Sequence, residues 1–434
     1  MKIVVIGAGY VGLVSAIGCA DLGNPVVCLD VDHTKVDTIN AGIPPIFEEN
    51  LEKRLKGALA KGNLSAGSDY SEVKDADLIL ISVGTPSRAD GSIDLSQVRS
   101  CAHEIAKQLV RSKKFAVIAL RSTVLPGITE SIVGKELEKA GRKRGVDFGL
   151  CMIPEFFSQG TALRDFCNPD RIVVGVSDAK TKKAIEKLYS GFRCPRILCD
   201  IKTAEMIKYA SNSFLAAKLA LTNDFAQMCE TMGTDIDTVM EGVGLDRRIG
   251  NHFLIAGPGF GGSCLPKDVK AIASAADAED AGSPILKAVL EANARHQLRL
   301  ISILMEEMPL RNKTIAVLGL SFKENTDDIR GSPALEIIKN LIHHGASIRA
   351  FDPRAMGNMK KVFPDIYYSA DWSDCLKGCD AALLISAWDD FKKTAAEYKQ
   401  ALGSAILIDS RRILKAKDVK KAGLNYRAIG RGIR

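Results

Sequence analysis

Long apolar runs are missing from this sequence. The longest, such as Phe115–Leu120 and Ala381–Ala387, fall far short of the ~18 residues a membrane-spanning helix needs, so no membrane segment is expected. No CxxC pair occurs among the eleven scattered cysteines, which argues against a metal site or a disulfide framework and points to the cytoplasm. Low-complexity stretches are absent and Gly 37 and Pro 15 are ordinary amounts, excluding collagen-like and disordered classes. The apolar start after Lys2 is broken by Gly7, Gly9 and Gly12 with no small-residue cleavage site behind it, so it reads as a strand rather than a secretion signal. Charge of one sign is lacking too. Fifty-nine basic against 52 acidic residues give +7, spread along the chain with only short clusters such as Arg142–Arg144, and solvated faces are expected rather than a nucleic-acid surface. What remains is a globular chain of 434 residues, 46% hydrophobic, enough for two to three domains at roughly 150 residues each.

The order of elements narrows the class. KIVVI, GAGYVG, LVSAIGCADLG and VVCLD read as strand, turn, helix, strand, a complete βαβ unit. DLILISV at Asp77–Val83 and FAVIAL at Phe115–Leu120 continue a doubly wound sheet over the first 200 residues, with an extended tail. From Thr203 to Gln227 helical spacing runs without Gly or Pro, predicting one long helix of roughly 37 Å that joins domains or packs on a second subunit. Helical patterning resumes at Asp268–Ala278 and Ile285–Glu306 after the glycine-rich Gly257–Gly262. TIAVLGL, PALEIIKNLIHHG, SIRAFDP, AALLISA and AILIDS then rebuild a similar sheet, with GLSFK where the first has GAGYVG. The expected class is α/β: two Rossmann-like doubly wound domains, residues 1–200 and 301–434, joined by the long central helix and a helical middle domain at 201–300.

Gly7-Ala8-Gly9-Tyr10-Val11-Gly12 lies between strand and helix. The first glycine permits the turn, the second lets a pyrophosphate approach the backbone, and the third allows the helix to pack closely on the strand. Asp30, closing the second strand, is placed to accept from ribose hydroxyls and to repel a 2′-phosphate, favouring NAD over NADP. Cys264 lies between Gly259-Phe260-Gly261-Gly262-Ser263 and Leu265-Pro266-Lys267-Asp268, where a helix N-terminus and positive charge favour a thiolate able to attack an aldehyde. Lys208 and Asn212 share one face of the long helix, and Glu155 of Pro154-Glu155-Phe156 stands at a strand end, where ligand-contacting groups occur.

Together, GAGYVGL, VGTP at Val83–Pro86, RSTVLPG at Arg121–Gly127, PEF at Pro154–Phe156, AEMIKYASN at Ala204–Asn212, GFGGSCLPKD at Gly259–Asp268 and SFKENTDDIR at Ser321–Arg330 resemble, in order, the motifs of the UDP-glucose/GDP-mannose dehydrogenase family. The resemblance implies a four-electron oxidation of a nucleotide-sugar C6 alcohol to the carboxylate with two NAD. Cys264 would carry a thiohemiacetal and then a thioester. Lys208 and Asp268, with Asn212 beside them, would position water and stabilise oxyanion charge. Glu155 would be the general acid/base and Thr123 would hold the catalytic water. The resemblance extends cofactor contact to Tyr10, Val11, Lys35, Thr85, Thr123 and Arg330, and substrate contact to Glu155, Lys208, Asn212, Phe260, Gly261 and Lys323. Arg248 resembles an arginine that reaches a neighbouring subunit's sugar site in UDP-glucose dehydrogenases. This puts UDP-glucose ahead of GDP-mannose, which LPKDVKA and RSTVLPG favour, or of another nucleotide sugar, and implies a homodimer or higher homo-oligomer. The pattern departs from the family at Ile153, at Phe157-Ser158-Gln159-Gly160 and at Gly331. Two other readings stand beside this one. A non-catalytic NAD-binding protein would lack the nucleophile, and a two-electron hydroxyacid dehydrogenase would not need Cys264.

Overall fold

Ile3–Ile6 is four fully buried aliphatic residues and forms strand β1. Similar short runs follow as β2 (Val26–Leu29), β3 (Leu64–Gly67), β4 (Leu78–Ile81), β5 (Ala116–Leu120), β6 (Phe148–Met152), β7 (Ile172–Val176) and β8 (Arg196–Cys199). They join in the order β3-β2-β1-β4-β5-β6-β7-β8. All neighbours are parallel except β6 and β7, which pair antiparallel through Cys151 with Val176 and Met152 with Gly175. Only the short helix Ala162–Cys167 lies between these two strands. The expected extended tail is therefore this inverted pair, which widens the sheet. Alternation sends Ile3 and Val5 into one core layer and Val4 and Ile6 into the opposite one, as the two-residue period of a strand requires.

The second sheet contains β9 (Thr314–Leu318), β10 (Ser347–Phe351), β11 (Tyr367–Tyr368), β12 (Ala381–Leu384), β13 (Ile406–Asp409) and β14 (Tyr426–Ala428). Its order is β11-β10-β9-β12-β13-β14, and every pairing is parallel. Ile315 and Val317 enter one layer, Ala316 and Leu318 the other.

The computed structural model describes residues 1–110 and 112–432, which divide into two compact units, Met1–Ser211 and Asn212–Arg434. The central helix spans Ile201–Met232, about 48 Å at 1.5 Å per residue, so it exceeds the expected 203–227 at both ends. Asp200 caps it: its carboxylate accepts from Thr203 N at 2.9 Å and Thr203 Oγ1 at 2.6 Å, satisfying first-turn donors. Gly233, at φ +70°, ends it. Helices Leu265–Ala278 and Pro284–Glu307 follow, and with the central helix they bury a small cluster around Ala216, Ala220, Phe260, Val269, Val289 and Ala292. No helix among the described residues is long and apolar enough to cross a membrane.

Candidate active site

In the first unit the glycine turn is built as its spacing requires. Gly7 adopts φ +98°, and a Cβ there would meet Ser82 O at 2.7 Å; one on Gly12 would meet Gly7 O at 1.8 Å. Gly9 borders open space, so a phosphate can reach its backbone. Helix Tyr10–Asp21 begins with no side-chain cap and no acid in its first turn, leaving its N–H groups to an anion. Asp30 Oδ2 accepts from Ala8 N at 2.7 Å and Oδ1 from Asp32 N at 3.0 Å, with Lys35 Nζ 3.8 Å away. Each oxygen keeps a lone pair for a ribose hydroxyl. These residues fit a dinucleotide.

Loops beyond three neighbouring strands supply more of this unit's polar groups. Thr85, after β4, donates through Oγ1 to Thr123 O at 3.1 Å after β5. Glu155 follows β6 and is buried; its Oε1 lies 3.2 Å from Lys208 Nζ and its Oε2 accepts from Phe157 N at 2.6 Å. Removing one member of such a buried ion pair leaves an uncompensated charge, at about 3–5 kcal/mol. Three residues before Lys208, the fully buried Glu205 accepts from Gly127 N at 2.5 Å, Thr129 N at 2.8 Å and Thr129 Oγ1 at 2.6 Å. Burial raises its pKa above the ordinary carboxylate range, against the pull of those donors. Glu205 thereby ties the loop bearing Thr123 to the helix bearing Lys208.

In the second unit Cys264 is the exposed N-cap of helix Leu265–Ala278. One turn on, Asp268 is 1% exposed; its Oδ2 accepts from Asn212 Nδ2 at 2.6 Å and its Oδ1 from Lys267 Nζ at 2.5 Å. The glycines before the thiol are sterically required. A Cβ on Gly261 would meet Gly331 O at 2.1 Å, and one on Gly262, itself at φ +85°, would meet the Phe322 ring at 2.9 Å. Gly262 N also donates to Arg330 O at 2.9 Å. The motifs around Cys264 and Arg330 are thus two sides of one backbone contact, and Gly331, at φ +61°, suits it. Asp328 pairs bidentately with the Arg330 guanidinium and raises its pKa further, with the Cys264 thiol contributing. Lys323 Nζ lies 5.8 Å from the Phe322 ring centroid. Phe260 is buried in the helical cluster, and its backbone N–H and carbonyl are held by Asn293 Oδ1 at 2.7 Å and Nδ2 at 2.9 Å. Arg248 is 82% exposed and paired with Asp246 of its own turn.

Sequence reasoning missed Glu205, Asn293 and Lys267. The signal for Glu205 was its position three residues before Lys208, on the same helical face; Lys267 adjoins Asp268. For Asn293, one polar residue inside a helix gave none.

Comparison with known proteins identifies the family. Family models of the UDP-glucose/GDP-mannose dehydrogenase family match residues 1–193 (NAD binding domain), 202–295 (central domain) and 316–416 (UDP binding domain). The chain is 38% identical to UDP-glucose 6-dehydrogenase YwqF of Bacillus subtilis, covering 99% of this chain and 98% of that protein. It is 40% identical to UDP-glucose 6-dehydrogenase AglM of Haloferax volcanii, covering 99% and 100%. A solved UDP-glucose dehydrogenase from Pyrobaculum islandicum superposes with a TM-score of 0.91 at 35% identity, over 99% of this chain and 98% of that one. With all three parts matched and full-length relatives well above 30% identity, this chain belongs to the UDP-glucose/GDP-mannose dehydrogenase family and uses NAD.

Proposed function

We propose that this chain oxidises UDP-glucose to UDP-glucuronate in two successive two-electron steps at C6, consuming two NAD. The observation that carries this reading is the setting of Cys264: an exposed thiol capping a helix, one turn from an Asp268 held by Asn212 and Lys267. NAD, when bound, accepts the hydride removed at each oxidation. The Cys264 sulfur adds to the C6 aldehyde formed first, giving a thiohemiacetal, and the second oxidation leaves a thioester. Water attacks the acyl carbon, the C–S bond breaks, and the uronate leaves as the thiol regains its proton. Glu155, paired with Lys208 Nζ at 3.2 Å, moves the protons of thioester formation and hydrolysis. Lys208, Asn212 and Asp268 orient water and offset oxyanion charge, and Thr123 holds the water.

Residues 1–200 would bind NAD through the glycine turn, Asp30, Lys35 and Thr85; 201–300 form the middle domain; 301–434 bind the UDP-sugar, with Lys323 on substrate and Arg330 reaching the cofactor. Phe260 and Gly261 would line the sugar site by shape, since the Phe260 backbone is already hydrogen-bonded. Phe214, Leu221, Phe225, Met228 and Met232 are exposed on the central helix at successive spacings of seven, four, three and four, which supports a homodimer or higher homo-oligomer in which Arg248 acts on the neighbouring site. Eleven cysteines with no disulfide among them suit the cytoplasm.

The test follows NADH formation with UDP-glucose, GDP-mannose and UDP-N-acetylglucosamine in parallel, counting NADH per sugar consumed. Two NADH per UDP-glucose is the expected result. Activity with GDP-mannose alone moves the assignment to the other branch of the family. Cys264→Ala separates the chemistries, because a two-electron enzyme would keep its turnover, whereas the proposed route loses the second oxidation.

A further inference from the structure

Three consecutive residues, Glu155, Phe156 and Phe157, each meet a cation from a different part of the first unit. Lys208 Nζ lies 3.2 Å from Glu155 Oε1. The Phe156 ring has Arg171 Cζ 3.9 Å from its centroid and Lys208 Nζ at 5.3 Å. Arg121 Cζ lies 5.1 Å from the Phe157 centroid. Of the three cations only Lys208 has a role in the proposed reaction, and Arg171 is the one that shares the Phe156 ring with it. It sits immediately before β7 and, among the described residues, forms no ion pair. Its Nη2 instead donates to Ser211 Oγ at 3.1 Å, and Ser211 Oγ donates to Ile207 O at 2.7 Å, fixing the hydroxyl to its helix. Arg171 therefore joins the end of the sheet, the face of the Phe156 ring and the helical turn that carries Lys208.

We infer that Arg171 is a positioning residue for the Glu155–Lys208 pair, acting through Phe156. The inference rests on the proposed role of that pair. Phe156 is flanked by Glu155 and by Phe157, whose N–H donates to Glu155 Oε2 at 2.6 Å, so a shift of the ring moves both the carboxylate and its donor. The guanidinium plane stacks on an aromatic face in a way an ammonium does not, and the Ser211 contact fixes that plane. Lys208 shares the same ring, so Arg171 also places a second positive charge beside the pair.

Arg171→Gln is expected to lower kcat about 100-fold, the scale of a 1 Å misplacement, with the KM values for UDP-glucose and NAD within about threefold. Arg171→Lys keeps the charge without the stacking, so it should restore only part of kcat. Amide exchange at Phe157, followed on the peptide 155–160, should quicken about tenfold in Arg171→Gln while exchange in β1 stays slow. A kcat loss that merely tracks the folded fraction overturns the inference, as do unchanged kcat and a loss carried by KM rather than kcat. A wild-type enzyme inactive on every nucleotide sugar would sink the proposed function, and unchanged Phe157 exchange would then still overturn the role of Arg171 independently.

Discussion

The two sheets share one frame and put it to different uses. In each, the first strand runs into a glycine of positive φ, Gly7 at +98° and Gly319 at +95°. An aspartate follows the second strand, Asp30 or Asp352, and accepts from the residue after that glycine: Ala8 N at 2.7 Å, Leu320 N at 2.8 Å. A serine beyond the fourth strand, Ser82 or Ser386, packs on the glycine. The difference begins one residue later. Where the first turn has Gly9, open to an approaching phosphate, the second has Ser321, whose Oγ bonds Asp352 Oδ2 at 3.1 Å. Trp388 Nε1 adds a donor at 3.2 Å, and Arg354 N and Ala355 N, each at 2.8 Å, take the other oxygen. Asp352 is fully buried; the Asp30 side chain keeps 10% of its surface exposed. The same carboxylate position thus keeps open surface in one sheet and is a buried strut in the other.

Exchanging the two aspartates for alanine should separate these uses. Asp352→Ala strips the acceptor from Leu320 N, Ser321 Oγ, Trp388 Nε1, Arg354 N and Ala355 N. At about 1–3 kcal/mol for each buried donor left unsatisfied, and with water entering to serve some of them, a loss of about 4 kcal/mol is expected, read as a fall in melting temperature. Asp30→Ala should cost about 1 kcal/mol of stability by the same reasoning. Equal destabilisation by the two would refute the contrast.

Glycine substitutions come next in size. A Cβ on Gly12 would lie 1.8 Å from Gly7 O, a backbone atom, whereas on Gly319 it would lie 2.1 Å from Ser386 Oγ, a side chain. Gly12→Ala must push the helix off its strand, at about 3 kcal/mol, and should weaken NAD binding more than tenfold. On Gly319 the Cβ would also lie 2.7 Å from Ser386 N, so Gly319→Ala adds a small backbone shift to the cost of its positive φ, about 2 kcal/mol in all, and should leave NAD binding unchanged by calorimetry.

How much of this could be read in the sequence follows from where the signals lie. β1, β4, β5 and β12 were legible because both their faces are buried, so the run is apolar throughout. β8, RILC, is mostly exposed and β3, LSAG, buries only Leu64, so neither stands out by hydropathy. The central helix was legible from its freedom from Gly and Pro. Its true ends depend on Asp200 and Gly233, whose effects are local. The residues given chemical roles came from motifs. Those that support them, Glu205, Asn293 and Arg171, act through contacts with residues far away in sequence, which no local pattern encodes.

Cofactor choice sharpens the comparison at smaller energy. Asp30 carries its charge where a 2′-phosphate would lie, so Asp30→Ala should raise the KM for NAD about tenfold, close to 1.4 kcal/mol. It should also improve NADP use, cutting the NAD:NADP ratio of kcat/KM about 100-fold by steady-state assay. Asp352→Asn should leave that ratio as it is.

The smallest expected effect is a pH dependence belonging to the second unit. His296 is buried, with Nε2 3.0 Å from Asp224 Oδ1. Burial lowers its pKa below the ordinary 6.5, with Arg295 acting in the same sense, against the opposing pull of Asp224 and Glu230. The first unit's His103 makes a similar contact with Glu136 at 3.0 Å, but its side chain is 65% exposed. Below pH 6.5 the unfolded chain takes up a proton that folded His296 still refuses. The stabilisation from neutral His296 is therefore complete above that pH and is lost as pH falls toward the depressed folded value. Melting temperature should slope downward from about pH 7 to pH 5, the range in which histidine titrates. His296→Gln, which can still donate to Asp224, should flatten that slope, and His103→Gln should not. A slope left unchanged by His296→Gln would show that His296 does not cause it, and a slope that steepens would show that the Asp224 carboxylate outweighs burial and keeps His296 charged in the folded protein.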